Sequence, residues 1–317
     1  MTYAADINSI QRAADRIAGY AHVTPVLTCK AIDRLAGRSL FFKCENFQKV
    51  GAFKFRGAMN ATAKALENQQ PSAFVTHSSG NHAQALALAA HCHGVPAHIV
   101  MPTNAPAVKK AAVLEYGATV HPCEPTLEAR IRVATQVCDE TSGILIPPYN
   151  HADVISGQGT VGLELNQQVP ELDAVICPVG GGGLLSGVTL GYRELQPDCK
   201  MLAAEPSGAD DAFRSKQSGQ LLPQLSPQTI ADGLRTSLGS LTWPVVRDLV
   251  DAIYVVTDQE IKVAMKLIWE RMKIVIEPSS ATVLAAVLSE GFDPEHTFRR
   301  IGLVISGGNL DLTALLD

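Results

Sequence analysis

Between residues 73 and 149 the chain alternates short strand-like runs with longer helix-forming stretches. AFVTH (73–77) precedes GNHAQALALAAHCHG, which ends at Gly94. AHIVMP (97–102) precedes APAVKKAAVLEYG (105–117), TVHPCE (119–124) precedes LEARIRVATQVCDET, and GILIPPY (143–149) closes the series. Strands joined through helices of this length pair in parallel, because the connection must cross over the sheet, and both faces then lie covered. This stretch therefore reads as a compact subdomain of about four strands in an α/β protein. The rhythm returns in longer form after a helix that begins near Gly157. DAVICPV (173–179), MLAAEP (201–206) and IGLVIS (301–306) read as strands; LLSGVTLGYREL, DQEIKVAMKLIWERM (258–272) and SSATVLAAVLSE read as helices. Residues 207–245, richer in Pro, Ser, Asp and Gly, read as loops.

With 317 residues, 46% of them hydrophobic, the chain can bury a large core. A net charge of −5 argues against nucleic acid, whose binders carry a basic face. No apolar run reaches the roughly 18 residues that span a bilayer. The N-terminal MTYAADINSIQRAADRIAGY is charged and amphipathic, with no signal-peptide core, so a cytoplasmic location is expected. Seven cysteines without a C-x-x-C pair speak against a disulfide framework and against structural zinc. HCH at 91–93 carries metal-binding residue types, but neighbours on a helix point in different directions, so it reads as a helix end.

Parallel sheets bind ligands where loops leave the carboxyl ends of the strands. Three such loops stand out: HSSGNHAQA (77–85), PVGGGGLLSG (178–187) and SGGN (306–309). Gly180, Gly181, Gly182 and Gly183 lie between a strand and a helix. Their N–H groups can converge on an anion at the positive helix end, and a phosphate is the natural guest; a flexible turn is the competing reading. No Lys-Ser/Thr follows, as a nucleoside-triphosphate loop requires, and the third glycine of a dinucleotide fingerprint falls on Leu185 or Ser186. In HSSGNHAQA one serine would suffice as a helix cap, so the second hydroxyl, the amide and the imidazole need another reason.

Lys54 sits between Phe53 and Phe55 in KVGAFKFRG (49–57). Desolvation there lowers its pKa and favours the neutral amine, which can form a Schiff base. Gly51 and Gly57 are expected to give the backbone room near the ligand, and the two phenylalanines to anchor the backbone. A phosphate loop together with such a lysine suggests pyridoxal phosphate, whose aldehyde binds lysine.

Seven segments in order, FFKCENFQKVGAFKFRGAMNA, THSSGNHAQALALAA, PVGGGGLLSG, AAEPSGADD, TIADGLRTSLG, ERMKIVIEP and ISGGN, resemble the serine racemase and serine/threonine dehydratase family. NFQKVGAFKFRGAMNA and IPPYNH are similar to members that dehydrate 3-hydroxyaspartate. The resemblance runs from about Thr24 to Leu312. It implies the two-domain α/β pyridoxal-phosphate fold of type II, the tryptophan-synthase-β fold, with parallel-rich twisted sheets flanked by helices and the cofactor in the interdomain cleft. Residues 1–68 and 151–317 would form the large cofactor-binding domain and residues 69–150 the small one. A homodimer is the family expectation.

The resemblance assigns Lys54 to the Schiff base, and Gly180 to Gly183 with the amide of Leu184 to the phosphate. Asn81 would meet the phenolic oxygen and Ser306 the pyridine nitrogen. A neutral hydroxyl cannot hold that nitrogen firmly protonated, which suits β-elimination. Ser78, Ser79, Asn81 and His82 would line the substrate carboxylate site. Ser79 matches the second acid/base, on the face opposite Lys54. Arg130 matches a residue reaching distal substrate groups, and Thr236 keeps a hydroxyl where vertebrate members carry serine. AAEPSGADD matches a divalent-cation site, with Glu205, Asp211 and the Ala209 carbonyl as ligands and Asp173 nearby; all-oxygen ligation suits Mg²⁺, Ca²⁺ or Mn²⁺. Some members bind ATP at a subunit interface, and Lys49, Gln84, Tyr116, Lys273 and Asn309 match that pattern. Cys29-Lys30, Val50 and Ala52 depart from it, which weighs against ATP activation.

The implied activity is dehydration and deamination of L-serine and L-threonine to 2-oxo acid and ammonia, with serine racemase activity at the same site. One alternative is a dehydratase specific for 3-hydroxyaspartate, with Arg130 or Arg235 meeting the extra carboxylate. Another, of a different class, is a non-catalytic amino-acid sensor, against which the presence of Lys54 argues. No regulatory region follows SGGN, so feedback regulation is not expected.

Overall fold

Two sheets arise from the strand–helix alternation. The computed structural model describes residues 3–105 and 107–311. In the larger sheet β1 (Val26–Leu27) pairs antiparallel with β2 (Ser39–Cys44), and β7 (Ala174–Pro178), β8 (Lys200–Pro206), β9 (Ala252–Val256) and β10 (Arg300–Ile305) run parallel to β2. The order is β1-β2-β10-β7-β8-β9. The smaller sheet is parallel throughout, with order β5-β4-β3-β6 from β3 (Phe74–His77), β4 (Ala97–Pro102), β5 (Thr119–Cys123) and β6 (Ile144–Leu145).

β10, the last strand described, inserts between β2 and β7. The strands to either side of it belong to separate stretches of the chain, so the loops leaving β10 and β7 part and open a crevice at the carboxyl edge. β7 is buried on both faces. Ala174 and Ile176 pack with Leu303 and Leu284, while Val175 and Cys177 pack with Val304, Leu185 and Val188. A strand with two covered faces needs no polar alternation, which is why DAVICPV reads as a continuous apolar run.

The helix Lys54–Asn68 is crossed by the helix Ala152–Gln168 at a pair of glycines. A Cβ on Gly157 would lie 2.6 Å from the Cα of Gly57 and 2.7 Å from the carbonyl oxygen of Arg56. Gly57 thus gives room to a neighbouring helix, not to a ligand as expected from the sequence. Gly51 has a φ of +67° and turns against the Asn309 side chain.

Most strand and helix expectations agree with the structure to within a residue or two, and the exceptions have physical causes. GILIPPY contributes only two residues to a strand, because Pro147 and Pro148 have no N–H to donate. The helix expected near Gly157 begins at Ala152, with the His151 side chain accepting from the Asp153 N–H. The stretch 207–245, read as loops, contains the helix Asp211–Ser218, whose first turn is anchored by buried Glu205. HCH ends the helix Asn81–His93, and Gly94 closes it with a φ of +68°.

Candidate active site

Lys54 opens its helix at the carboxyl edge of β10. Ala52 bridges to Gly307, and the Phe53 N–H donates to the Ser306 carbonyl at 3.0 Å, so the lysine is pinned beside the loop that follows the strand. Its Nζ donates to the Pro148 carbonyl at 2.6 Å and lies 5.1 Å from the Phe53 ring. Burial lowers its pKa to about 8, against the opposing pull of Glu277. Phe53 therefore contacts the amine as well as packing in the core, while Phe55 is wholly buried between Ile17, Met59 and Ala85. Lys49 lies on the other side, 5.5 Å from the Phe55 ring.

The glycine loop follows β7 and opens the helix Gly183–Leu195. A Cβ on Gly180 would lie 2.8 Å from the Leu234 Cα, on Gly181 2.4 Å from the Tyr149 ring, and on Gly183 2.9 Å from the Tyr149 Cβ; Gly182 has a φ of +85°. Neighbouring protein thus leaves no room for a side chain at any of the four, so the loop presents bare backbone at a helix end whose first N–H groups have no acceptor within the helix. This arrangement fits a phosphate. Tyr149, not foreseen from the sequence, roofs the loop, with Thr236 near its hydroxyl.

On the smaller sheet, Ser78 and Ser79 lie in the turn after β3. Ser78 Oγ accepts from the Gly80 N–H at 3.3 Å, and Gly80, with no side chain, is the helix N-cap. Neither serine caps the helix, which leaves the Ser79 hydroxyl for another partner. Asn81 donates its amide to both oxygens of Glu277 at 3.1 Å and accepts from the Asn309 amide at 2.9 Å. His82 Nε2 bonds the Ile146 carbonyl at 2.9 Å, so its side chain braces the segment just after β6, and it has only a main-chain N–H for a carboxylate. Its pKa falls to about 3 through burial and the charge of Lys54, so the imidazole is neutral. Ser306, buried after β10, touches Ser280.

Glu277 is a second residue that sequence reasoning missed. It also accepts from the Asn309 N–H, and burial raises its pKa to about 7. The visible signal was an acid directly before a proline that opens an apolar helix. Arg130 has a buried Nε without a partner, and its charge lowers the pKa of His77 after burial does so. Arg235 donates to the Thr229 carbonyl through Nε and one terminal nitrogen, which holds its guanidinium in place.

At the carboxyl end of β8, Glu205 accepts from Ala212 and Phe213 N–H groups at 3.0 and 2.9 Å. Asp211 accepts from Leu238 at 3.0 Å through Oδ2, while its buried Oδ1 has no partner. Burial pushes Glu205 up to about 8 and Asp211 up to about 6. Two desolvated carboxyls and an unpartnered oxygen fit a hard cation, although no group of three His, Cys, Asp or Glu side chains gathers among the described residues. Asp173 is not part of this site. It precedes β7, at the opposite end of the sheet, and accepts from the N–H groups of Arg299 and Arg300. Of the residues matching the nucleotide pattern, Asn309 bonds the Val50 carbonyl in the Lys49–Gly51 turn, Gln84 is buried, Tyr116 packs in the core of the smaller sheet, and Lys273 closes the helix Asp258–Met272.

A family model described as pyridoxal-phosphate dependent enzyme matches residues 17–307, and the chain belongs to that family. It is 52% identical over 318 residues to serine racemase from Arabidopsis thaliana, covering 99% of this chain and 96% of that protein. The solved structure of maize serine racemase matches with a TM-score of 0.97 at 52% identity, over 99% of this chain and 96% of that one. The solved structure of threonine deaminase from T.th. matches with a TM-score of 0.91 at 42% identity, over 96% of this chain and 99% of that one. The family and fold drawn from the motifs are thus borne out, and with them pyridoxal phosphate as cofactor. Among the described residues no helix is long and apolar enough to cross a membrane.

Gly181→Ala should weaken retention of pyridoxal phosphate at least about tenfold, since its methyl must displace Tyr149 or the phosphate. Spectroscopic titration of the apoprotein measures this, and unchanged affinity would show that the loop is not the cradle.

Proposed function

We propose that the chain removes water from β-hydroxy amino acids such as L-serine and L-threonine, that the enamine so formed takes up water again to give a 2-oxo acid and ammonia, and that the same site interconverts the serine enantiomers. The observation that carries this reading is the Lys54 amine, brought to a pKa of about 8 at the crevice beside the glycine loop. The names of the relatives, serine racemase and threonine deaminase, support it.

Pyridoxal phosphate, when bound, draws electrons from the Cα of an attached amino acid and so acidifies its proton. Gly180 to Gly183 and the Leu184 N–H would hold its phosphate, Asn81 its phenolic oxygen and Ser306 its ring nitrogen. Ser78, Ser79 and the first N–H groups of the helix Asn81–His93 receive the substrate carboxylate. Lys54, neutral in a useful fraction near its lowered pKa, takes the Cα proton at Nζ. Loss of the β-hydroxyl leads to elimination, whereas a proton delivered by Ser79 Oγ to the opposite face gives the mirror image. Ser79→Ala should therefore lower racemisation at least about 100-fold, and elimination only by the roughly threefold to tenfold that one lost carboxylate contact costs. Product chirality and 2-oxo acid formed from L-serine, D-serine, L-threonine and the 3-hydroxyaspartate isomers measure both, and equal loss of the two reactions contradicts that role.

A specific observation favours acidic substrates as a second reading: the unpartnered Arg130 Nε suits a side-chain carboxylate such as that of 3-hydroxyaspartate. A homodimer belongs to the proposal as well. Val23, Phe47 and Val275 are exposed and lie on segments joined by His22 Nδ1 to the Phe47 carbonyl and by Asn46 to the Val275 carbonyl, which offers an apolar surface to a second copy.

A divalent cation held by Glu205, Asp211 and the Ala209 carbonyl is the last part of the reading, supported by the unpartnered Asp211 Oδ1. A cation at about 100 times its Kd adds about 2.7 kcal/mol of stability. Mg²⁺ should raise the melting temperature of the wild type by several degrees and leave Asp211→Asn unmoved. Calorimetry with and without chelator measures this, and an equal rise in both proteins refutes the site.

A further inference from the structure

Ser280 lies in the first turn of the helix Pro278–Leu288, fully buried, and none of the chemistry above uses it. Its Oγ is 3.0 Å from the Oγ of Ser306, accepts from the Gly307 N–H at 2.7 Å, and donates to the Gly307 carbonyl at 2.7 Å. A hydroxyl has one proton and two lone pairs. A carbonyl oxygen cannot donate, so the proton of Ser280 is committed to Gly307, whose oxygen also takes the Glu277 N–H at 3.1 Å on its other lone pair. The Gly307 N–H fills one lone pair of Ser280. Only the second lone pair remains toward Ser306, so Ser306 must be the donor across that contact. With its own proton committed, Ser306 offers the crevice lone pairs alone.

We infer that Ser280 is a positioning residue that fixes Ser306 as a hydrogen-bond acceptor, so that the pyridine nitrogen lodged there is bound in its protonated, N–H form. This rests on the functional reading above, which puts the ring nitrogen at Ser306. The hydroxyl expected from the sequence to hold that nitrogen only weakly is thereby made the first member of a chain. Protons point from the ring to Ser306, from Ser306 to Ser280 and from Ser280 to the Gly307 carbonyl. Hydrogen bonds in such a chain polarise one another. Without the hydroxyl of Ser280, the proton of Ser306 turns toward the ring and favours the bare nitrogen. A protonated ring draws electrons from Cα more strongly. It leaves time for a proton to return there, and so favours racemisation over loss of the β-hydroxyl.

The test uses holoenzyme reconstituted with pyridoxal phosphate labelled with ¹⁵N in the ring. The unsubstituted protein should give a pyridinium-like ¹⁵N shift. Ser280→Ala should move it toward that of bare pyridine and lower the racemisation-to-elimination ratio roughly threefold to tenfold, the factor one ordinary hydrogen bond makes in a rate. Ser280→Thr, which keeps the hydroxyl, should restore the shift, and on a Ser306→Ala background Ser280→Ala should move it no further. A merely structural serine would change the melting temperature without moving the ¹⁵N shift. A Ser280→Ala shift equal to that of the unsubstituted protein overturns the inference, as does a ring nitrogen that is bare before any substitution. If the unsubstituted protein takes up no cofactor, the functional reading falls, and this inference with it.

Discussion

The placement of Lys54 depends on Arg56, two residues further along the same helix. The Arg56 guanidinium, with none of its surface exposed, bonds both oxygens of Glu45 at 2.7 and 2.8 Å and both oxygens of Glu164 at 2.6 and 2.8 Å. Lys43, equally buried, shares Glu164 at 2.6 Å. The two cations and two carboxylates balance in charge, which is the condition under which burial of this kind is tolerated. The Glu45–Arg56 pair closes the segment that carries Lys54, and Glu164 ties that closure to the helix Ala152–Gln168. Removing one partner of such a set costs about 3–5 kcal/mol. Lysine cannot replace Arg56, because a single ammonium cannot reach two carboxylates through a planar fork.

From that anchor the crevice assembles by topology. β10 between β2 and β7 brings together the Ser306 turn, the glycine loop and the start of the Lys54 helix. The smaller sheet contributes the Ser79–Asn81 turn, and its Pro148–Tyr149 segment reaches over the glycine loop. An ion pair of 2.5 Å between Lys109 and Asp232 joins a helix of the smaller sheet to the segment that packs on Gly180. Asn81, Glu277 and Asn309 form one polar network across the same junction. The site is thus bordered by groups whose burial, not their identity alone, sets their protonation: Lys54 pushed down, Glu277 pushed up and His82 held neutral.

What could be read from the sequence was what chemistry imposes locally. Four consecutive glycines after an apolar strand, a lysine between aromatics and a strand–helix rhythm each need only their own neighbours to be recognised. Roles that depend on partners distant in sequence were not visible. Tyr149 matters because its ring covers Gly181, Glu277 because it meets Asn81, and Ser280 because it meets Ser306. β9, AIYVV, was passed over in the sequence; it is an edge strand and only partly buried. Asp173 was linked to the cation loop by resemblance, yet parallel pairing puts it at the far end of β7. Gly57 was read as serving the ligand because it neighbours Lys54 in sequence, while in space it serves Gly157.

Everything proposed for the crevice turns on Lys54 carrying the cofactor. Borohydride reduction of the holoenzyme, followed by proteolysis and mass spectrometry, reads that bond residue by residue. The pyridoxyl phosphate mass should appear on the peptide containing Lys54 and on no other lysine in stoichiometric amount. Labelling of a different lysine, or none, would contradict it.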